Sequence, residues 1–479
     1  MSRTFLKKRN NYLMQMLTDV NDYLRRDSMA LADTVLECPY CGRKHTVPFG
    51  SVHIGTSLVG RIPQVAEKVL GCQSRSAWLL YDRAIEEMIQ ACVIGPLKMT
   101  GLSLHPLGLG EPDLLLDSEE SLMNAAAAAI DPQADILIGS GSGVISDLTK
   151  GIATRLGKPF ILFGTAPSMN SYTSITATIT VNDIKLSKWF NPANAVMLDI
   201  NILSQAPKQM ILAGVGDLVA RSVCNADWKL ASLLKKLYFC PLPYQMTARN
   251  ELRYLEAAEG IGKSEPGAIH RLSEAILISG YSMTVLDGET SPSSGGEHIL
   301  SHFWDLIYHL RGVPKNLHGS QVGVGTLIML AMYEYMRKLD PARLDPQKLL
   351  HRRPTLVEIE ADNQNHFGDK AGSFNEVAHR KFLPDDKYQE FIGFVQANWE
   401  KIWEEVTPYL ASFEDIRQPM VKAGCPVTLE GIYRTPAEGV EALLFGSRYR
   451  TRYTLLDLAW ELGVFPEAAE EILKLAQVI

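Results

Sequence analysis

Residues 135–150 read DILIGSGSGVISDLTK, and no other stretch limits the fold as much. Residues 135–138 form a short apolar run, long enough for a buried strand. The run breaks into Gly139-Ser140-Gly141-Ser142-Gly143, after which Val144, Leu148 and Ile152 recur at helical spacing. A strand that ends in glycines and passes directly into a helix lets the backbone approach a diphosphate. It also offers that group the N–H donors of the helix N-terminus. The glycines alternate, so this is not the GxGxxG pattern. Read alone, the turn is equally a tight connection that holds no ligand.

The flanking chain supports a layered α/β unit. Residues 1 to about 35 read as a helical lead-in, with Leu13, Met16 and Leu17 at helical spacing. Residues 76–82 (SAWLLYD) read as a buried strand ending in Asp82. An acid there can accept hydrogen bonds from the adenosine ribose hydroxyls of NAD and disfavours a 2′-phosphate. The plain alternative is a solvated strand-end carboxylate. Helices are expected over residues 83–92 and 122–130. Residues 158–164 make another buried strand, delivering a loop from Thr165 to Ser174 dense in hydroxyls and small side chains. An open α/β sheet places its ligand at such strand ends. Residues 195–199 give one more strand. Alternating strands and helices indicate a mainly parallel sheet covered on both faces.

From about residue 206 the pattern turns helical, with apolar residues three and four apart over 269–285, 297–310, 322–338, 386–410 and 454–475. The Pro-, Asp-, Asn- and Arg-rich stretch 339–385 reads as a surface excursion. The expected division is therefore a lead-in with a Cys-x2-Cys turn over 1–50, a Rossmann-like domain over 51–205, and an all-α domain over 206–479.

Composition narrows the function classes. A net charge of −7 argues against broad nucleic-acid or anionic-membrane binding. No apolar run approaches the roughly twenty residues a bilayer span requires, and the first residues lack a secretory apolar core. Seven cysteines in 479 residues suggest reduced thiols in the cytoplasm rather than a disulfide framework. Cys38, Cys41 and His45 supply three of the four donors of a structural zinc site, with Cys72 as a distant fourth. The alternative is a hairpin turn carrying two free thiols.

Three places in the helical half suit a metal. Asp217 follows two glycines in Gly214-Val215-Gly216, His298 and His302 stand one helical turn apart, and His318 precedes Gly319. One carboxylate with two or three imidazoles suits Zn²⁺ or Fe²⁺ and leaves a coordination position open. Sequence separation alone does not bring them together.

Taken jointly and in order, the glycine turn with Asp147 and Lys150, the Thr165–Met169 loop (TAPSM), GVGDL, SGGEH and LHGSQVGVGTL resemble the sn-glycerol-1-phosphate dehydrogenases, particularly their bacterial branch. The C-terminal RYTLLDLAWELG also resembles that branch. The group belongs to the superfamily of metal-dependent polyol dehydrogenases and dehydroquinate synthases. The resemblance implies a Rossmann-like N-terminal domain, an α-helical C-terminal domain and an active site in the cleft. It implies Asp217, His298 and His318 as metal ligands for Zn²⁺, Fe²⁺ or Ni²⁺. Gly141, Ser142 and Gly143 match the pyrophosphate turn, and Asp147 and Lys150 fall near the nicotinamide end. Thr165 and Ser168 match cofactor-contacting loop residues, and His302 matches a histidine that faces the substrate. NAD, favoured by Asp82, or NADP would be the cofactor, a small polyol or polyol phosphate the partner, and a homo-oligomer the assembly.

Two positions depart from the family. Asn170 stands at the catalytic position where an aspartate is usual, and an amide cannot act as a carboxylate base. Ser291 replaces an arginine seven residues before His298, removing a bidentate partner for an anion. Both bear on the substrate pocket rather than on cofactor or metal. The expected activity is NAD(P)-linked hydride transfer between a polyol and its ketone, with His302 relaying the proton. Competing readings are a dehydroquinate-synthase-like lyase that uses NAD transiently, and a non-catalytic nucleotide-binding relative.

Overall fold

The computed structural model describes residues 35–38, 40–46, 50–181 and 184–479. The lead-in helix expected around Leu13, Met16 and Leu17 lies outside the described residues. Strands β1 (Val35–Glu37) and β2 (Lys44–Thr46) form a short antiparallel hairpin. A parallel six-stranded sheet follows, built from β3 (Ser51–Gly55), β4 (Ala77–Asp82), β5 (Leu104–Leu109), β6 (Ile136–Gly141), β7 (Phe160–Gly164) and β10 (Ala195–Asp199), in the order β3-β10-β7-β6-β4-β5. Between β7 and β10 runs an antiparallel hairpin of β8 (Thr176–Val181) and β9 (Ile184–Trp189).

Burial explains the order. Every residue of β6, β7 and β10 is buried, as expected of central parallel strands covered on both faces. β5 has only Leu109 buried and carries an exposed Pro106, a residue that a sheet tolerates at its edge. Side chains alternate across the sheet. Ala77, Leu79, Ile136, Ile138, Ile161, Phe163, Ala195 and Met197 share a core with Ile62 and Val65 of helix α1 (Ile62–Leu70). Helix α2 (Glu120–Ala129) packs beside α3 (Gly143–Leu156), which lies against β6. Gly139 permits that approach: a Cβ there would stand 2.3 Å from Thr149 Oγ1.

Compactness divides the chain differently from the change of pattern near residue 206. One unit holds the described residues up to Leu218, together with Cys240–Thr290 and Lys422–Gly424. The other holds Val219–Phe239, Ser291–Val421 and Cys425–Ile479. Helix α4 (Lys208–Val219) runs to the boundary and α5 (Arg221–Lys235) follows it. Helices α6 (Leu242–Glu256) and α7 (Pro266–Thr284) return to the first unit. The reason is local. Thr173 Oγ1 donates to the Leu277 carbonyl at 2.6 Å, and Thr284 Oγ1 to the Thr173 carbonyl at 2.8 Å. Helical periodicity reports that a face is buried, not what covers it.

The second unit is helical, with α8 (Gly296–Arg311) against α9 (His318–Arg337). The stretch 339–385, expected as a surface excursion, is largely helical. It forms α10 (Pro346–Arg352), α11 (Leu356–Phe367) and α12 (Ala371–Lys381). Its polar residues serve as helix caps: Asp345 accepts from Gln347 and Lys348, and Thr355 forms a capping box with Glu358. Phe367 and Phe374 stack at 3.8 Å beneath them. No helix among the described residues is long and apolar enough to cross a membrane.

Candidate active-site groups

The parallel register positions the glycine turn. The chain passes from β4 outward to the edge strand β5, then back across β4 to β6, so the strand order reverses between β4 and β6. Ligands of open α/β sheets sit beyond the strand ends at such a point. Tyr81 pairs with Ser140, which puts Asp82 at the level of Gly141 on the neighbouring strand. Ser142 is the N-cap of α3 in extended conformation, and its side chain makes no capping hydrogen bond. A Cβ on Gly143 would lie 2.4 Å from Met169 Sδ, so the 165–169 loop closes tightly over the turn. Thr165 N–H donates to the Gly141 carbonyl at 3.0 Å. The Tyr172 hydroxyl reaches the Gly141 and Ala166 carbonyls at 3.1 and 2.8 Å, and burial pushes its pKa well above the ordinary tyrosine range. Thr165 and Ser168 are both buried here. Asp82 accepts from Ala84 N–H at 2.9 Å, capping the turn after β4, and burial raises its pKa.

Asp147 and Lys150 occupy a more interior position than the resemblance implies. Lys150 is 0% exposed and Asp147 5%. Lys150 Nζ donates to the Ser171 carbonyl at 2.5 Å, and lies 3.3 Å from Asp147 Oδ1 and 3.4 Å from the Thr176 carbonyl. Asp147 Oδ2 accepts from Thr178 N–H at 3.2 Å. Burial pushes the carboxyl up and the ammonium down, and each restrains the other's shift. The pair ties α3 to the 170–176 segment.

Asp217 sits near the end of α4, buried. Gly214, one turn earlier, lets that helix touch the 165–169 loop, since a Cβ would fall 1.8 Å from the Pro167 carbonyl oxygen. Asn170 N–H donates to Asp217 Oδ2 at 3.2 Å, while its side-chain amide donates to Ser279 Oγ at 3.1 Å. Asn170 therefore orients Asp217 through its backbone and anchors itself to α7 through its side chain.

In the second unit, Gly325 allows α9 to approach α8, a Cβ there lying 2.8 Å from the Glu297 carbonyl oxygen. The rings of His298 and His318 consequently stand 5.1 Å apart. His298 Nδ1 lies 2.8 Å from Glu297 Oε1, a carboxylate that can only accept, so Nδ1 carries the proton. Ser301 donates to Gln321 Oε1 at 2.9 Å, and its oxygen therefore accepts from His318 Nδ1 at 3.1 Å. Both imidazoles are held in the tautomer that leaves Nε2 as a lone-pair donor, which is how second-layer partners prepare metal-binding histidines. His302, one turn along α8, stacks at 5.2 Å on His318 and at 6.3 Å on Tyr449. Donor atoms of His302, Asp305 and His318 also lie within 4.8 Å of one another.

Sequence reasoning missed the carboxylates behind His298. Glu297 accepts from Gly295 N–H at 2.7 Å; Asp227 accepts from Gly296 N–H at 2.7 Å, Tyr333 Oη at 2.6 Å and Leu455 N–H at 2.9 Å. Burial and the neighbouring Glu297 push Asp227 up to about 7. Glu297 was visible beside His298 in SGGEH, whereas Asp227 carries no sequence signal.

Residues 53–207 match the family of iron-containing alcohol dehydrogenases. The glycerol-1-phosphate dehydrogenase (NAD(P)+) of Halalkalibacterium halodurans is 30% identical over 334 residues, covering 68% of this chain and 82% of that protein. The enzyme of the same name from Geobacillus thermodenitrificans is 36% identical over 200 residues, 42% of this chain and 49% of that protein. Among solved structures, glycerol dehydrogenase from Schizosaccharomyces pombe has a TM-score of 0.57 at 16% identity, covering 89% of each chain. Maleylacetate reductase from Agrobacterium tumefaciens gives 0.55 at 12%, over 90% of this chain and 96% of that one. At such identities the structural likeness speaks for the fold.

Proposed function

The chain belongs to the glycerol-1-phosphate dehydrogenase family, and from that premise we propose that it interconverts a small polyol and its ketone, with sn-glycerol 1-phosphate and dihydroxyacetone phosphate as the pair. It is an NAD(P)-linked, metal-dependent oxidoreductase acting on a CH–OH group. The observation that carries this reading is the pair of imidazoles whose Nδ1 positions are both committed, to Glu297 and to Ser301. Metal-ligating histidines characteristically commit the nitrogen that does not face the ion to such a partner.

Asp217, His298 and His318 would hold the metal, and one carboxylate with two imidazoles suits Zn²⁺, the ion we assign. When bound, the metal supplies Lewis acidity to the substrate oxygen. Glu297 and the Ser301–Gln321 pair hold the two imidazoles through Nδ1, and Asn170 N–H fixes the Asp217 carboxylate. The N-terminus of α3 at Ser142 and Gly143 would hold the cofactor diphosphate, its donors uncovered by any side-chain cap. Thr165 and Ser168 would line that cofactor site. Asp82, level with Gly141, would accept from the adenosine ribose and favour NAD over NADP. The nicotinamide supplies the hydride chemistry. His302 would take the proton of the substrate hydroxyl in oxidation and return it in reduction.

The test is a metal assay paired with nicotinamide absorbance. Asp217→Ala should carry one metal fewer per chain than the purified wild type, and the wild type should oxidise NADH in proportion to the polyol formed from dihydroxyacetone phosphate. NADPH should serve less well. Product formed without net change in NADH would point to transient cofactor use and overturn the dehydrogenase reading. Metal and nucleotide binding without turnover of any three-carbon compound would overturn the substrate assignment alone.

A further inference from the structure

The hairpin of β1 and β2 holds a group of side chains that the proposed chemistry does not use. One donor atom each from Cys38, Cys41, His45 and Cys240 lies within 4.8 Å of all the others. Cys38 Sγ and Cys240 Sγ are 3.5 Å apart, Cys41 Sγ and His45 Nε2 3.2 Å, and Cys240 Sγ and His45 Nε2 3.9 Å. In a tetrahedral site with metal–sulfur bonds of about 2.3 Å and metal–nitrogen bonds near 2.0 Å, neighbouring donors stand roughly 3.5–3.8 Å apart. The observed separations bracket that tetrahedron edge. Cys72, the fourth donor expected from sequence, is exposed beyond α1 and is not in the group; Cys240 takes its place.

Among the described residues the hairpin is short and largely exposed. Each strand is three residues long, and an isolated pair of such strands is unstable in water. Of its side chains that are described between residues 35 and 46, only Cys38 and His45 are buried and Cys41 is half-buried; Val35 is 59% exposed. Among the described side chains of the hairpin, what is buried is therefore the donor set. The turn is closed by Gly42 N–H to the Cys38 carbonyl and Cys38 N–H to the Arg43 carbonyl, both at 3.0 Å, with Gly42 at φ +67°. This brings both sulfurs of the turn to one place.

We propose that Cys38, Cys41, His45 and Cys240 bind a zinc ion that clamps the β1–β2 hairpin to the segment preceding α6. Three thiolates and one imidazole are the soft donors zinc selects, and four protein ligands close the coordination sphere, so the ion is structural. The clamp joins parts of the first unit 195 residues apart. It anchors the start of α6, which packs along α7, and α7 carries the Ser279 that holds Asn170. The inference is independent of the roles given to His298 and His318.

The experiment counts metal on the full chain, purified without chelator, as wild type, Cys41→Ser, Cys240→Ser and His45→Cys. Both serine variants should carry one zinc fewer per chain than wild type, and His45→Cys should keep it as a four-thiolate site. Serine variants with wild-type zinc content would overturn the proposal. Should those variants fail to fold, cobalt-loaded wild type still decides. Sulfur ligation gives a thiolate-to-cobalt charge-transfer band that an Asp/His/His site cannot produce, and its absence would overturn the assignment. Thiol titration of the denatured, chelated and unreduced chain should find all seven cysteines. Two fewer, with Cys38 linked to Cys240, would replace the metal clamp by a disulfide.

Discussion

Replacing Lys150 by methionine tests whether this lysine serves the fold or the cofactor. The side chain is fully buried beside an Asp147 that is 5% exposed. Methionine keeps most of the volume and removes the cation. Asp147 then loses its counter-charge, retaining Thr178 N–H at 3.2 Å, and the Ser171 carbonyl loses a donor at 2.5 Å. Leaving one member of a buried ion pair uncompensated costs about 3–5 kcal/mol. Without the ammonium the carboxyl's folded pKa rises further, so the folded state holds a proton that the unfolded chain releases. The loss should therefore be smallest at low pH and grow as pH rises. Urea unfolding at several pH values reads both effects. The double variant Asp147→Asn/Lys150→Met should recover part of the loss, because no buried charge remains. A Lys150→Met protein with an unchanged urea midpoint and weakened NAD binding would refute the reasoning and return Lys150 to the cofactor site.

Glu297→Gln should weaken metal binding about 10–100-fold while the chain stays folded, read by competition with a chelating dye; wild-type affinity would remove Glu297 from the proposed centre. Gly214→Ala forces a methyl group to within 1.8 Å of the Pro167 carbonyl oxygen. Helix and loop must separate, so thermal stability should drop by several degrees, with metal affinity falling as Asp217 shifts. Asp227 titrates near 7 when folded against 3.8 as its ordinary value, so its contribution to stability is present at low pH and declines as pH rises between those values. Asp227→Asn should abolish that slope in urea midpoints measured from pH 4 to pH 8. Burial pushes the Cys425 thiol up to about 12, whereas Cys72 and Cys92 are exposed. Iodoacetamide mapped by mass spectrometry should label Cys72 and Cys92 in the native protein and Cys425 only after unfolding.

What the sequence determined by itself is local and periodic. The buried strands β6 and β7 announce themselves in the apolar runs 136–138 and 160–163, and the glycine turn between β6 and α3 is contiguous, so its geometry is written in adjacent residues. The alternation of TATITV and IKLSKW equally suits the β8–β9 hairpin. Tertiary structure decided the rest because the determining contacts join residues far apart in the chain. Cys240 joins Cys38, Cys41 and His45 across about two hundred positions, a partnership that no spacing rule encodes. Nothing in the sequence near Lys150 announces the Ser171 and Thr176 carbonyls that lie against its ammonium. Asp227 is an unremarked acid in a helix until Tyr333, Gly296 and Leu455 converge on it. Periodicity states that a face must be covered. Which face covers it, and which polar groups are trapped there without water, is settled only when the elements pack.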